Sequence, residues 1–305
     1  EILLKVDKAA RYIGGEVNSV MKDKNEVEIR FAMCFPDVYE IGMSNLGMMI
    51  LYNMFNQRED VWCERLFSPW PDLDKVMREQ NIPLFALESQ EPIRDFDFLG
   101  ITLGYEMCYT NILQVLDLSG IPLKSADRGE DFPIVIGGGA CAYNPEPLAP
   151  FFDLFYIGEG ETVYDALFDA YKANKKAGGS RRDFLLAAAK IPGIYVPSLY
   201  EVTYKEDGTI ASFAPTEAGV PEKVQKQLII DMEKEYRAVE APVVPHIKAT
   251  QDRVTLEIQR GCIRGCRFCQ AGMIYRPTRE RDVETLKESA RIMLKNTGHE
   301  EISLS

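Results

Sequence analysis

The sequence has no apolar run approaching the roughly 20 residues that a membrane-spanning helix needs. Its opening stretch, "EILLKVDKAARYIGG", lacks the apolar core of a secretory signal. It is also short of positive charge: 35 Lys and Arg stand against 47 Asp and Glu, for a net charge of -12. That balance argues against a surface built throughout to hold polyanions, so nucleic acid is not indicated as a partner, although a local basic patch stays open. Seven cysteines, an odd number spread over 305 residues, are the opposite of a small disulfide scaffold, which leaves metal binding or ordinary burial. No repeat and no low-complexity tract is present. The expected setting is the cytoplasm, with no membrane partner.

With 46% hydrophobic and 27% charged residues, the chain can bury a sizeable core and form more than one domain. From Val27 onward, short apolar runs alternate with amphipathic stretches, the pattern of a parallel sheet covered by helices on both faces. The runs "IRFAMCF", "VWCERLF", "LFAL", "FLGITLG", "IVIG" and "LFYIG" read as strands, with helices after Ser44, Pro71, Thr110 and Gly160. The fold class is therefore α/β, a doubly wound Rossmann-like domain over residues 27–178 preceded by an N-terminal segment, 1–26. Residues 179–251 read as a linker. It opens on the charged break "KKAGGSRRD" and carries a hairpin turning at Asp207-Gly208.

A new unit opens at 252. Val254, Leu256 and Ile258 alternate with polar residues as a strand does. Val283, Leu286, Ala290 and Met293 then recur with helical spacing up to a stop at Gly298, and "EISLS" begins another strand. Between strand and helix lies "QRGCIRGCRFCQAGMIYRP", with Cys262, Cys266 and Cys269 in a C-x3-C-x2-C spacing. Three thiols at the carboxyl end of a strand occupy the place where α/β folds put their ligand sites. Thiolates favour zinc or iron-sulfur clusters, and a closed zinc site would recruit a fourth Cys or His nearby. None is near: His246 precedes the strand and His299 follows the helix. Three ligands on one loop can hold three irons of a [4Fe-4S] cluster and leave the fourth iron open. Arg260, Arg264, Arg267, Arg276, Arg279 and Arg281 crowd the same stretch, and their charge is expected to offset a negative cluster.

This C-x3-C-x-aromatic-C loop after the first strand of a βα unit, with Phe268 in the aromatic place, resembles the signature of radical S-adenosylmethionine enzymes. The arrangement of domains is similar to bacterial members that carry a cobalamin-binding-like domain ahead of the core. The resemblance implies that residues 252–305 are the start of a partial βα barrel, that Cys262, Cys266 and Cys269 hold a [4Fe-4S] cluster, and that Phe268 lies near the adenine of S-adenosylmethionine. It further implies reductive cleavage of S-adenosylmethionine to a 5'-deoxyadenosyl radical, with an electron donor such as flavodoxin or ferredoxin and a substrate that the sequence does not specify. The chain ends as the second strand of the barrel begins and starts at Glu1, so a fragment, inactive alone, is expected.

Cobalamin is left open as a further cofactor. The loop "FPDVYEIGMSNLG" lacks the histidine of the Asp-x-His-x-x-Gly pattern, so cobalamin would bind without a protein nitrogen on cobalt. "GGGACA" satisfies a dinucleotide-binding glycine pattern, but Pro145 and Pro147 interrupt the helix that pattern must open. "IGEGE", from Ile157 to Glu161, reads as a structural corner. Cys34, Cys108 and Cys141 each fall at or just after the end of a strand and could converge on one crevice with Tyr39, Glu106 and Gly138. Methylthiotransferases of tRNA or protein resemble that arrangement, with three such cysteines holding a second cluster. A non-catalytic cobalamin- or metal-binding module is the remaining alternative.

Overall fold

In the computed structural model, residues 2–236 and 238–305 are described. The first unit runs β1 (Ile29–Phe35), α1 (Tyr39–Gly42), α2 (Leu46–Asn56), β2 (Val61–Phe67), α3 (Pro71–Gln80), β3 (Phe98–Thr102), α4 (Tyr109–Leu118), β4 (Ile134–Gly138), β5 (Leu154–Tyr156), α5 (Tyr164–Lys176), α6 (Arg181–Ala188) and β6 (Ile194–Tyr195). The sheet order is β2-β1-β3-β4-β5-β6, parallel except for β6. The chain leaves β1 in one direction to make β2 and returns to make β3 on the other side. The β1/β3 boundary is thus the switch point at which doubly wound sheets open a crevice.

Strands β1 and β2 are buried along almost their whole length, as expected for a parallel sheet with both faces covered. Alternation divides β1 between two cores. Ile29, Phe31 and Met33 pack with α2, α5 and α6 through Met48, Phe55, Phe168 and Phe184. Ala32 and Cys34 pack with α3 and α4 through Leu73, Met77, Ile112 and Val115. Local signals set the helix ends: Asn45 caps α2 by accepting from Met48 N, Pro71 starts α3, and Ser180 with Asp183 forms a capping box on α6.

Two stretches depart from the sequence reading. "LFAL" is not a strand. The chain folds back there, Phe85 forms a single bridge to Pro92, and Gln90 takes a left-handed φ of 60°. The turn delivers Glu88 to Arg65, and that pairing outweighs the strand propensity of the apolar run. Conversely, α6 and β6 continue the sheet past Lys176, because Phe184, Leu185, Ala188 and Ile194 complete its α5-side core.

The hairpin is β7 (Tyr200–Tyr204) and β8 (Ile210–Pro215), turning at Asp207 and Gly208. Residues 216–253 form no described helix or strand beyond single bridges. The final unit is β9 (Val254–Leu256), β10 (Gln259–Arg260), α7 (Ala271–Ile274), β11 (Arg279–Glu280), α8 (Val283–Thr297) and β12 (Ile302–Leu304). Strands β9 and β12 pair in parallel around α8, a βαβ unit, while β10 and β11 pair antiparallel. Asp282 caps α8, and Gly298 ends it in the left-handed region. No described helix is long and apolar enough to cross a membrane.

A buried ion cluster ties the N-terminal segment and connector to the sheet. Arg65 on β2 donates to Glu16 at 2.7 Å and to Glu88 at 2.7 Å, and all three side chains are buried. Tyr39 donates to Glu16 and Tyr52 to Glu88, while His246 N donates to the Tyr39 hydroxyl. Burial alone would lower the Arg65 pKa, but Glu88 and Glu16 outweigh it and keep the guanidinium charged. Removing one member strands a buried charge. Glu88→Ala is therefore expected to lower unfolding stability by about 3–5 kcal/mol in denaturant titration. Glu79→Ala, which breaks the exposed Lys75–Glu79 pair at 3.9 Å, should leave the midpoint unchanged.

Candidate functional site

The cysteine loop leaves β10 at Arg260 and returns at β11, where Arg260 pairs directly with Arg279 across the ladder. Two like charges opposite each other would repel, but a carboxylate from the first unit lies between them. Glu159, in the turn after β5, binds Arg260 Nη1 at 3.1 Å and accepts from Arg279 Nη1 and Nη2 at 2.8 and 2.7 Å. Glu161 and Glu257 bind Arg260 as well, at 2.7 and 2.8 Å. Burial pulls the Arg260 pKa down, yet the hydrogen bonds to Glu257 and Glu161 raise it overall, so it stays charged. The neck also needs Gly261: its φ is +97°, and a Cβ there would meet the Pro277 and Tyr275 carbonyl oxygens at 2.3 and 2.5 Å.

Beyond this neck the loop is open. Cys262 and Cys269 are half-buried and Cys266 is exposed, all as free thiols. Arg264 N donates to Cys262 Sγ at 3.4 Å, and Cys269 N to the Cys266 carbonyl at 3.1 Å. Phe268 is 92% exposed and Ile263 81%. Among the described residues no three Cys, His, Asp or Glu side chains converge to hold a metal ion. The donor chemistry still fits an iron-sulfur cluster. Three free thiols share one loop, and one sulfur already accepts a backbone amide, an interaction that tunes such clusters.

The arginines do not form the positive surround that the sequence suggests. Arg260 and Arg279 are spent on carboxylates, and Arg281 lies 4.3 Å from the Tyr236 ring with Nη2 donating to Ser289. Arg276 donates to the Arg264 carbonyl. Arg264 and Arg267 are exposed on the loop. Glu159 and Glu161, the residues that organise the neck, sit in "IGEGE", where nothing in the local sequence distinguishes them from a turn.

A cavity of about 420 Å³ lies between the neck and the carboxyl ends of the parallel strands. One wall is apolar: Phe31, Met33 and Ile136 from the sheet, Ile50 and Leu51 from α2, and Tyr164 from α5. The opposite wall is Glu257, Arg260, Gly261 and Tyr275, with Gly138, Gly139, Glu159 and Gly160 along the sheet rim. This volume is ordinary for a ligand site. At Gly158 a Cβ would lie 2.2 Å from the Gln227 carbonyl oxygen, so the connector closes tightly over the turn.

The structure places Cys34, Cys108 and Cys141 elsewhere. None lines the cavity. Cys34 and Cys141 belong to the core on the α3/α4 face, and Cys108 Sγ is 3.8 Å from Asp37 Oδ2. Burial, then Asp37, pushes the Cys108 thiol up to about 11; Cys34 and Cys141 are raised by burial as well. Tyr39 holds the histidine position of the Asp-x-His-x-x-Gly pattern. It is buried, with its hydroxyl held by Glu16 and His246 N rather than facing the cavity.

Residues 47–197 match the family model described as Radical SAM proteins, N-terminal. That stretch is therefore similar to the N-terminal domain of radical SAM proteins. Uncharacterized protein MJ0966 of Methanocaldococcus jannaschii is 27% identical over 256 residues, covering 84% of this chain and 44% of that protein. The chain thus spans less than half the length of that curated relative. Among solved structures, the radical S-adenosylmethionine methyltransferase TsrM from Kitasatospora setae aligns with a TM-score of 0.46 and 14% identity in its form with tryptophan substrate and aza-SAM bound. The form with cobalamin and a [4Fe-4S] cluster gives 0.45 and 13%. These alignments cover 90% and 92% of this chain and 47% and 48% of TsrM.

The two sets of thiols in this chain should separate by reactivity. In iron-free folded protein under mildly alkaline conditions, iodoacetamide is expected to label Cys262, Cys266 and Cys269 and to spare Cys34, Cys63, Cys108 and Cys141, as read by peptide mass spectrometry. Labelling of Cys108 should rise only as the pH climbs toward about 11.

Proposed function

We propose that the chain is the N-terminal part of a radical S-adenosylmethionine enzyme whose cluster is ligated by Cys262, Cys266 and Cys269. The observation that carries this reading is a shared wall. Arg260 and Gly261, immediately before the first cysteine, line the cavity at the carboxyl ends of the parallel strands. A group held by the loop would therefore adjoin a ligand-sized space. Cys262, Cys266 and Cys269 would bind three irons and leave the fourth open to S-adenosylmethionine, with Phe268 beside the adenine; residues 252–305 would open the partial βα barrel. When bound, the cluster supplies the electron that cleaves S-adenosylmethionine to a 5'-deoxyadenosyl radical. The donor would be a small protein such as flavodoxin or ferredoxin, in a cytoplasm that keeps seven thiols reduced.

The chain's own residues have separable tasks in this scheme. Glu159, Glu161 and Glu257 fix the neck of the loop, and the apolar wall of Phe31, Met33, Ile50 and Tyr164 excludes water from one side of the cavity. The rim glycines Gly138 and Gly139 allow a ligand to approach the backbone. Cobalamin is the further cofactor that this cavity would take. Tyr39, which holds the histidine position of the Asp-x-His-x-x-Gly pattern, is committed to Glu16, so cobalamin would bind there without a ligand from this position. A second cluster, as methylthio transfer would require, would have to fall to Cys34, Cys108 and Cys141, and none of these lines the cavity that adjoins the cysteine loop.

Anaerobic reconstitution of the full-length protein is expected to give about four irons and the broad visible absorption of a [4Fe-4S] cluster. Replacing Cys262, Cys266 and Cys269 together by alanine should abolish both. Retention of the same iron and absorption in the triple variant refutes the assignment, and a colourless zinc protein refutes the enzyme reading. An iron content near eight that depends on Cys34, Cys108 and Cys141 would favour methylthio transfer instead.

A further inference from the structure

We infer that Glu159 is a positioning residue that clasps both ends of the cysteine loop from the neighbouring domain and so sets the stability and reduction potential of the group the loop holds. The inference rests on the cluster reading above. One carboxylate touches the entry arginine, Arg260, and the exit arginine, Arg279, at 2.7 to 3.1 Å. Cys262 follows Arg260 by two residues. The two arginines are cross-strand neighbours, each at least nearly buried, with side chains 11% and 6% exposed. Without Glu159 their mutual repulsion acts in a poorly hydrated place. Arg260 would keep Glu161 and Glu257, whereas Arg279 would keep, among the described residues, only the carbonyls of Ile229, Tyr275 and Pro277.

Glu159 is itself held firmly. Its amide donates to the Gln227 carbonyl, its carbonyl accepts from the Tyr156 hydroxyl at 2.6 Å, and its Oε2 accepts from Ile229 N at 3.0 Å. The clasp is therefore a fixed point of the first domain rather than a mobile surface acid. The same residue lines the cavity, so the loop and the cavity are built against one carboxylate. Glu161 provides the internal comparison: it carries the same charge in the same turn but reaches only the entry arginine.

The test uses the full-length protein and four measurements on Glu159→Gln, Glu161→Gln and wild type: thermal unfolding, rate of iron loss to a chelator, cluster midpoint potential, and tryptic cleavage after Arg264 and Arg267 in the iron-free form. With folding retained, Glu159→Gln is expected to lose iron on the order of ten-fold faster, as removal of a supporting partner typically does. Its potential should move upward, because two guanidiniums lose a counter-charge, and its loop should be cut faster. Glu161→Gln should change each of these less. The clasp is overturned if wild type holds a cluster and Glu159→Gln matches it, or if the two variants behave alike. Iron-free wild type refutes the cluster reading instead; the tryptic comparison then decides the clasp alone, and equal cleavage overturns it. Should Glu159→Gln not fold, Arg279→Lys serves, since lysine keeps the charge but cannot span both carboxylate oxygens. Faster iron loss supports the clasp, and wild-type iron loss overturns it.

Discussion

Two guanidinium groups cannot be packed side by side out of water unless a carboxylate stands between them, and in this chain that requirement joins the two halves. Glu159 belongs to the sheet domain, and Arg260 and Arg279 to the cysteine unit. Shared ion pairs, in this form or with one guanidinium between two carboxylates, recur through the structure. Arg65 links Glu16 and Glu88; Arg30 links Glu64 and Glu91; Asp153 takes both Arg128 and Arg181. Each cluster ties segments that lie far apart in sequence, and each incurs a desolvation cost that a hydrophobic contact would avoid. Although the chain has more acids than bases, arginine makes up most of the buried charge among the described residues: Arg11, Arg30, Arg65, Arg128, Arg279 and Arg281 against Glu16, Glu64, Glu88 and Asp153. Its placement marks where segments that share no secondary structure must keep one arrangement.

Much of the sheet is legible because its strands are strongly apolar and bounded by polar turns. "IRFAMCF" and "VWCERLF" coincide with β1 and β2. "LFAL" misleads because its apolar residues are buried by a turn rather than by a ladder, and the turn exists to bring Glu88 to a partner 23 residues earlier in the chain. Helix α6 escapes notice because the break "KKAGGSRRD" looks like a domain edge. In the fold it is the tight connection between two helices, with Ser180 serving as the cap of the second.

The candidate site was half legible. Cysteine spacing is a local property, so Cys262, Cys266 and Cys269 stand out. Glu159 and Glu161 do not, since their meaning depends on arginines about a hundred residues away. The thiols Cys34, Cys108 and Cys141 do fall near strand ends, but strand parity separates Cys34 from the cavity. It shares a face with Ala32, whereas the cavity opens on the face of Phe31 and Met33. A strand buried on both sides carries no polar alternation to say which face meets a ligand. That information arises only when α2 and the cysteine unit close over one side.

The charge at the neck also bears on the chemistry the loop can support. Three carboxylates, Glu159, Glu161 and Glu257, face Arg260 and Arg279, so the charge of these two guanidiniums is taken up at the neck. Of the other cations, Arg281 is packed against the Tyr236 ring, and Arg264, Arg267 and Arg276 lie exposed, where water and salt screen them. A thiolate-ligated cluster on this loop would draw little stabilisation of its extra electron from fixed positive charge. The amide of Arg264 directed at Cys262 Sγ is the closer influence. Weak cationic support keeps an iron-sulfur potential low, because reduction adds negative charge that nothing nearby neutralises. A low potential is what reductive cleavage of a sulfonium demands, so the pairing of the neck arginines with carboxylates suits the proposed reaction better than a free basic surround would.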